Sequence, residues 1–140
     1  MTSVTQTSPT QLYQQKIMDY YQSPAHRGTV ENYTFITDQT TSSCGDRVVF
    51  TGTVQDGKII DMKFSGDGSV LSQAFAAMLC EFAIGKPICD VLKLGKADIT
   101  TFLGCELGPT RLKTVVFVLE LLQNALRGVK AQGGSCSCAL

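Results

Sequence analysis

Three absences narrow what this sequence can be. It has no run approaching the ~18 consecutive apolar residues that a membrane span needs, so no membrane-spanning role is expected. It has no surplus of positive charge: 12 Lys and Arg stand against 12 Asp and Glu. The electrostatic attraction that drives phosphate-backbone binding is therefore missing, and nucleic acid is not an expected partner. It has one imidazole, His26, in the N-terminal segment. A nucleophilic enzyme built on a cysteine thiolate would lack a convincing base, so no catalytic activity is expected. The first ten residues, Met1 to Thr10, are rich in Thr, Ser and Gln and contain no apolar core of the secretory type. A cytoplasmic location follows as an expectation.

What the chain does have is cysteine, six residues of it in 140. Without an export signal these are expected to be mostly reduced thiols and not a disulfide framework. The bland reading for most is a small buried hydrophobe: Cys80 in a helical core face, Cys89 at the start of a short helix. The length suits one domain with a real core. The expected organisation is a tail over 1–10, a domain over 11–128, and a second tail over 129–140 carrying Cys136 and Cys138.

The periodicities describe a small α+β domain. Ser8-Pro9 opens a helix with Tyr13, Ile17, Tyr20 and Tyr21 on one face, and Pro24 ends it. Tyr33 to Thr37 reads as a first strand. Val48, Phe50, Gly52 and Val54 alternate with polar neighbours, as do Ile60, Met62 and Phe64. Asp56-Gly57 between them is a strong hairpin signal. Ser65-Gly66-Asp67-Gly68-Ser69 is a glycine-rich bend feeding a helix with Leu71, Phe75, Met78, Leu79 and Phe82 at helical spacing, ended by Gly85-Lys86-Pro87. Residues 88–94 and 98–102 suggest short helical pieces. A final helix begins at Gly108-Pro109, buries Leu112, Val115, Val116, Leu119, Leu122 and Leu126, and runs out near Gly128.

Chemistry concentrates at Cys44-Gly45-Asp46. A thiol and a carboxylate two positions apart can face one ion, because the intervening glycine lets the backbone fold tightly. That pair suits zinc or iron and not calcium. The alternative is a turn in which Asp46 only accepts backbone N–H groups.

Three motifs in order resemble the IscU/SufU/NifU-N iron–sulfur scaffold family. Leu12-Tyr13 through Asp19-Tyr20-Tyr21 to Ser23-Pro24 and Gly28 is similar to its N-terminal helix. Ser43-Cys44-Gly45-Asp46 resembles its first ligand motif. Phe64-Ser65-Gly66-Asp67-Gly68-Ser69, followed by Ser72 and Ala76-Ala77-Met78, resembles the second, and Pro109 through Arg111-Leu112-Lys113-Thr114 the third. The resemblance implies a three-stranded antiparallel sheet packed against helices. It implies a site where three cysteines and an aspartate hold zinc or a nascent cluster, and sulfur supplied as persulfide by a cysteine desulfurase.

This chain departs from that pattern. Ser69 and Thr114 occupy the second and third cysteine positions, and Lys113 the histidine position. Cys44 and Asp46 remain. A neutral hydroxyl is a poor ligand for iron or zinc beside a thiolate, so a cluster, iron or zinc is expected to bind weakly or not at all. Ser69 reads as a helix N-cap, and Thr114 as bonded back to a carbonyl. Lys113 is the candidate cation for raising the thiolate fraction of Cys44. Cys105, in the loop before the third motif, and Cys136 and Cys138 on the tail are candidate auxiliary ligands. Cys44, Ser69 and Thr114 should converge at one end of the sheet. Two functions stay open: a scaffold-like acceptor of metal or sulfur with a reduced ligand set, or a cluster-free paralogue that binds or regulates the assembly proteins. Homo-oligomerisation is left open.

Overall fold

Asp56 and Gly57 both take positive φ, 55° and 77°, the geometry of a tight two-residue hairpin turn whose twist matches its strands. In the computed structural model, which describes residues 9–37, 45–104 and 107–131, this turn joins β2 (Arg47–Gln55) to β3 (Lys58–Asp67). β1 (Phe35–Ile36) pairs with the other edge of β2, giving a three-stranded antiparallel sheet of order β1-β2-β3. Among the described residues five helices accompany it: α1 (Pro9–Gln22), α2 (Val70–Ala83), α3 (Ile88–Leu92), α4 (Lys96–Leu103) and α5 (Pro109–Ala131).

Three departures from the periodicity have local causes. Ile60 is 48% exposed while Ile59 is fully buried. The β2–β3 register shifts between Thr53 and Val54, pairing Val54 with Ile59 and Thr53 with Asp61. Ile60 is the extra residue of a bulge, and the alternation reverses across it. β2 buries Val48, Val49, Phe50 and Thr51 in succession because the chain between α1 and β1 returns across the sheet. Phe64 N–H donates to His26 O at 2.8 Å, and Val30 N–H donates to Thr51 Oγ1 at 2.9 Å. β3 also runs on through Ser65, Gly66 and Asp67, residues that composition alone assigned to a bend. The first strand is only two residues long, and α5 passes Gly128 to end at Ala131.

α2 sits at the centre. Every residue from Ser72 to Cys80 is buried, and the helix packs against α1, α5 and the sheet. The Tyr20 hydroxyl donates to Glu81 across the α1–α2 contact. That bond, reinforced by burial and by the Glu81 charge, pushes the phenol up from its usual 10 to about 12. From α5, Gln123 Nε2 donates to Val91 O and Leu94 O, both at 3.0 Å. These bonds tie the end of α3 to the core. α2 and α5 both begin at the end of the sheet away from the hairpin turn, and that end carries the candidate site.

Candidate functional site

The site begins with two glycines whose backbones no other residue could copy. Gly66 has φ +138°, and a Cβ there would lie 2.0 Å from Arg47 O. Gly68 has φ +140°, and its Cβ would lie 2.5 Å from Asp46 Oδ1 and 2.9 Å from Asp46 Cα. Lacking Cβ atoms, they let the end of β3 press against the start of β2. Asp46, 3% exposed, is thereby carried to the N-terminus of α2. Its Oδ1 accepts from Ser69 N–H at 2.7 Å and stands 3.3 Å from Ser72 Oγ. A carboxylate there is favoured both by the free N–H groups and by the helix dipole.

Ser69 is the N-cap of α2, with extended backbone and its Oγ accepting from Ser72 N–H at 3.2 Å. Thr114 donates through Oγ1 to Thr110 O at 3.3 Å. Both hydroxyls serve their own helices, as their residue types suggested. They nevertheless face a common space. A pocket of about 890 Å³ is lined by Asp46, Gly68, Ser69, Val70 and Leu71 from the β3–α2 junction and by Thr110, Arg111 and Thr114 from α5. Gln14, Ile17 and Met18 of α1 complete the lining. Three positions widely separated in the sequence, 46, 69 and 114, therefore line one pocket; Cys44, the third member of the expected convergence with Ser69 and Thr114, lies outside the described residues.

Arg111 is the residue that the sequence reading overlooked. The expected cation, Lys113, is exposed and lines a different cleft of about 410 Å³ with Lys96, Pro109 and Val116. On a helix, positions three apart share a face and adjacent ones do not. Arg111, at i−3 from Thr114, shares the pocket with it, and that spacing was the available signal. The apolar α1 wall was also missed, since Ile17 and Met18 looked like ordinary core-facing helix residues.

Of the thiols, Cys44, Cys105, Cys136 and Cys138 lie outside the described residues. Asp46, two positions after Cys44 in the sequence, lines the pocket. Cys80 is buried and free. Burial, with a smaller contribution from the Asp61 charge, pushes its thiol far above the usual range, so it is an inert core residue. Cys89 is disulfide-bonded, an exception to the expectation that the thiols are mostly reduced. Among the described residues no three His, Cys, Asp or Glu side chains are grouped to hold a metal.

Residues 12–134 match the NifU-like N terminal domain family. The chain belongs to that family. A Thermotoga maritima protein named iron-sulfur cluster assembly scaffold protein IscU is 29% identical over 134 residues, covering 84% of this chain and 94% of that protein. An Aquifex aeolicus protein of the same name is 31% identical, covering 82% of this chain and 74% of its own. The Bacillus subtilis zinc-dependent sulfurtransferase SufU is 28% identical over 89% of this chain and 94% of its own. The crystal structure of FiSufU from Fervidobacterium islandicum superposes with a TM-score of 0.69 at 28% identity, covering 79% of this chain and 93% of that one. The sheet-and-helix architecture is thus that of the IscU/SufU scaffolds.

The described part of the pocket does not fit zinc or a cluster unaided. It offers one carboxylate, already holding a backbone N–H, and two hydroxyls engaged with their helices. Neutral hydroxyls do not replace thiolates for iron or zinc.

Proposed function

We propose that this chain is an iron–sulfur assembly protein of scaffold type with a reduced ligand set, accepting sulfur or metal through Cys44 beside Asp46. The convergence of Asp46, Ser69 and Thr114 on one pocket supports this reading, since Asp46 is only two residues from Cys44 in the sequence. Its partner is a cysteine desulfurase carrying a persulfide. The Cys44 thiolate attacks the outer sulfur of that persulfide, the S–S bond breaks, and the desulfurase cysteine leaves as thiolate. Arg111 supplies positive charge at the pocket wall, which favours the thiolate form of a nearby cysteine. The chain acts as acceptor without catalysing a turnover of its own, and works in the cytoplasm. Among the described residues no helix is long and apolar enough to cross a membrane.

The test uses protein purified without oxygen. Iron, zinc and sulfide are quantified, and persulfide on Cys44 is mapped by mass spectrometry after incubation with a desulfurase and cysteine. Metal is expected well below one per chain, with persulfide on Cys44. Ser69→Cys and Thr114→Cys together should produce stoichiometric zinc or iron binding, because they restore three thiolates around Asp46. Tight metal in the unmodified chain would contradict the weak-binding part of this account. The second reading, a cluster-free partner of the assembly proteins, draws on the structural duties of Asp46 and Thr114. It is the reading left if the unmodified chain accepts neither metal nor persulfide.

A further inference from the structure

The pocket between α1, α2 and α5 has features that metal or sulfur acceptance does not use. A metal site is compact and rich in donor atoms. This space measures about 890 Å³, within the range of about 300–1,000 Å³ typical of small-molecule sites, which are mostly apolar with a few placed polar groups. Ile17 and Met18 of α1 line it together with Val70 and Leu71 of α2. Met18 is 39% exposed and Val70 38%, so apolar surface is left in water here. A ligand covering it would gain the free energy of that burial. Val70 opens α2, whose first turn holds no acidic residue, although an acid there would complement the helix dipole. The helix terminus gains little from a valine; an apolar pocket wall does.

The two charged side chains of the described lining differ in availability. Asp46 is buried, and its Oδ1 holds the Ser69 N–H at 2.7 Å, so its charge serves the α2 terminus. Arg111 is exposed in the first turn of α5, where the helix dipole also favours an anion. Its guanidinium presents N–H donors in a fork that matches a carboxylate.

We propose that this pocket binds a small amphipathic organic acid, with its carboxylate on Arg111 and its apolar chain against Met18, Val70 and Leu71. A neutral apolar molecule would leave the guanidinium unused, and inorganic phosphate would leave the apolar walls wet. The bound acid neutralises the cation and fills space lined by Ser69 and Thr114, and so competes with a sulfur donor. That regulatory consequence rests on the proposed function; the binding itself does not.

Straight-chain carboxylates from butanoate to decanoate are titrated into the isotope-labelled full-length chain and followed through backbone amide shifts. The expected shifts centre on residues 17–18, 69–71 and 110–114. Each added methylene should tighten binding about two- to fourfold, the upper figure being that of full burial. Arg111→Ala should weaken octanoate binding about five- to tenfold, and 1-octanol should bind the unmodified chain more weakly than octanoate by a similar factor. Val70→Asp puts a like charge in the wall at a helix position suited to an acid, and should abolish binding. Lys113→Ala, which alters the other cleft, should leave it unchanged. The proposal is overturned if no carboxylate moves these amides at millimolar concentration, or if affinity is independent of chain length. It is equally overturned if octanol binds as well as octanoate, or if Lys113→Ala weakens binding as much as Arg111→Ala. Failure of Cys44 to accept persulfide would leave these titrations unchanged, and so is distinguishable from failure of the acid site.

Discussion

Replacing Asp46 by alanine separates a residue that only ligates from one that also holds the fold. Asp46 Oδ1 receives the Ser69 N–H at 2.7 Å, a charge-assisted bond at a helix N-terminus. Ser72 Oγ is a lesser loss, because its single proton already has Ser69 O at 2.9 Å as the shorter alternative to Asp46 at 3.3 Å. The substitution therefore takes this acceptor from the partly buried Ser69 N–H. A hydrogen bond to a charged group contributes about 1.5–3 kcal/mol, and a carboxylate on the helix dipole about 0.3–1 kcal/mol. Asp46→Ala should cost about 2–4 kcal/mol. Asp46→Asn keeps an amide oxygen at the same place while losing the charge, and should cost about 1–2 kcal/mol. Urea unfolding of metal-free protein, followed by the helical circular dichroism signal, reads both values. At metal-free conditions a pure ligand would show no loss. A cost under about 0.5 kcal/mol for Asp46→Ala would refute the reasoning that this carboxylate organises the α2 terminus.

Two other perturbations follow from the same coordinates. Gly66→Ala places a Cβ 2.0 Å from Arg47 O on a backbone with φ +138°; strain and clash together should cost at least about 3 kcal/mol, measured by the same unfolding assay, and a neutral result would mean that the strand ends do not approach as described. The Tyr20 phenol is raised from 10 to about 12 by Glu81 and burial, so the folded state holds its proton more tightly than the unfolded chain. Its stabilisation is complete below pH 10 and is lost as pH rises to about 12. Tyr20→Phe should remove that part of the alkaline loss, seen by comparing unfolding midpoints of the two proteins between pH 9 and pH 12; identical pH profiles would contradict the assigned Tyr20–Glu81 bond.

Local chemistry made much of this molecule legible before any coordinates. Asp56-Gly57 determines its turn because few residue pairs accept two positive φ angles in succession. The 3.6-residue spacing of Leu112 to Leu126 determines the buried face of α5. Ser69 and Thr114 bond to their own helices as their types dictate. These are properties of neighbours in the chain, so the chain encodes them locally.

Other features depend on contacts between distant segments, and only the tertiary structure decides them. The Thr53/Val54 register shift exposes Ile60 in place of Ile59, since a bulge is set by the pairing of two strands and not by either one. The cation at the Asp46 pocket is Arg111 and not Lys113, because the rotation of α5 against α1 and α2 selects which side of the helix turns inward. The disulfide of Cys89 could not be read from cysteine spacing, since pairing depends on where the chain brings sulfur atoms together. The sequence by itself determined the family, the elements and the loss of two ligand thiols. The tertiary structure decided which side chains share the pocket left behind, because proximity between residues as far apart as Gln14 and Thr114 is a result of packing the whole core.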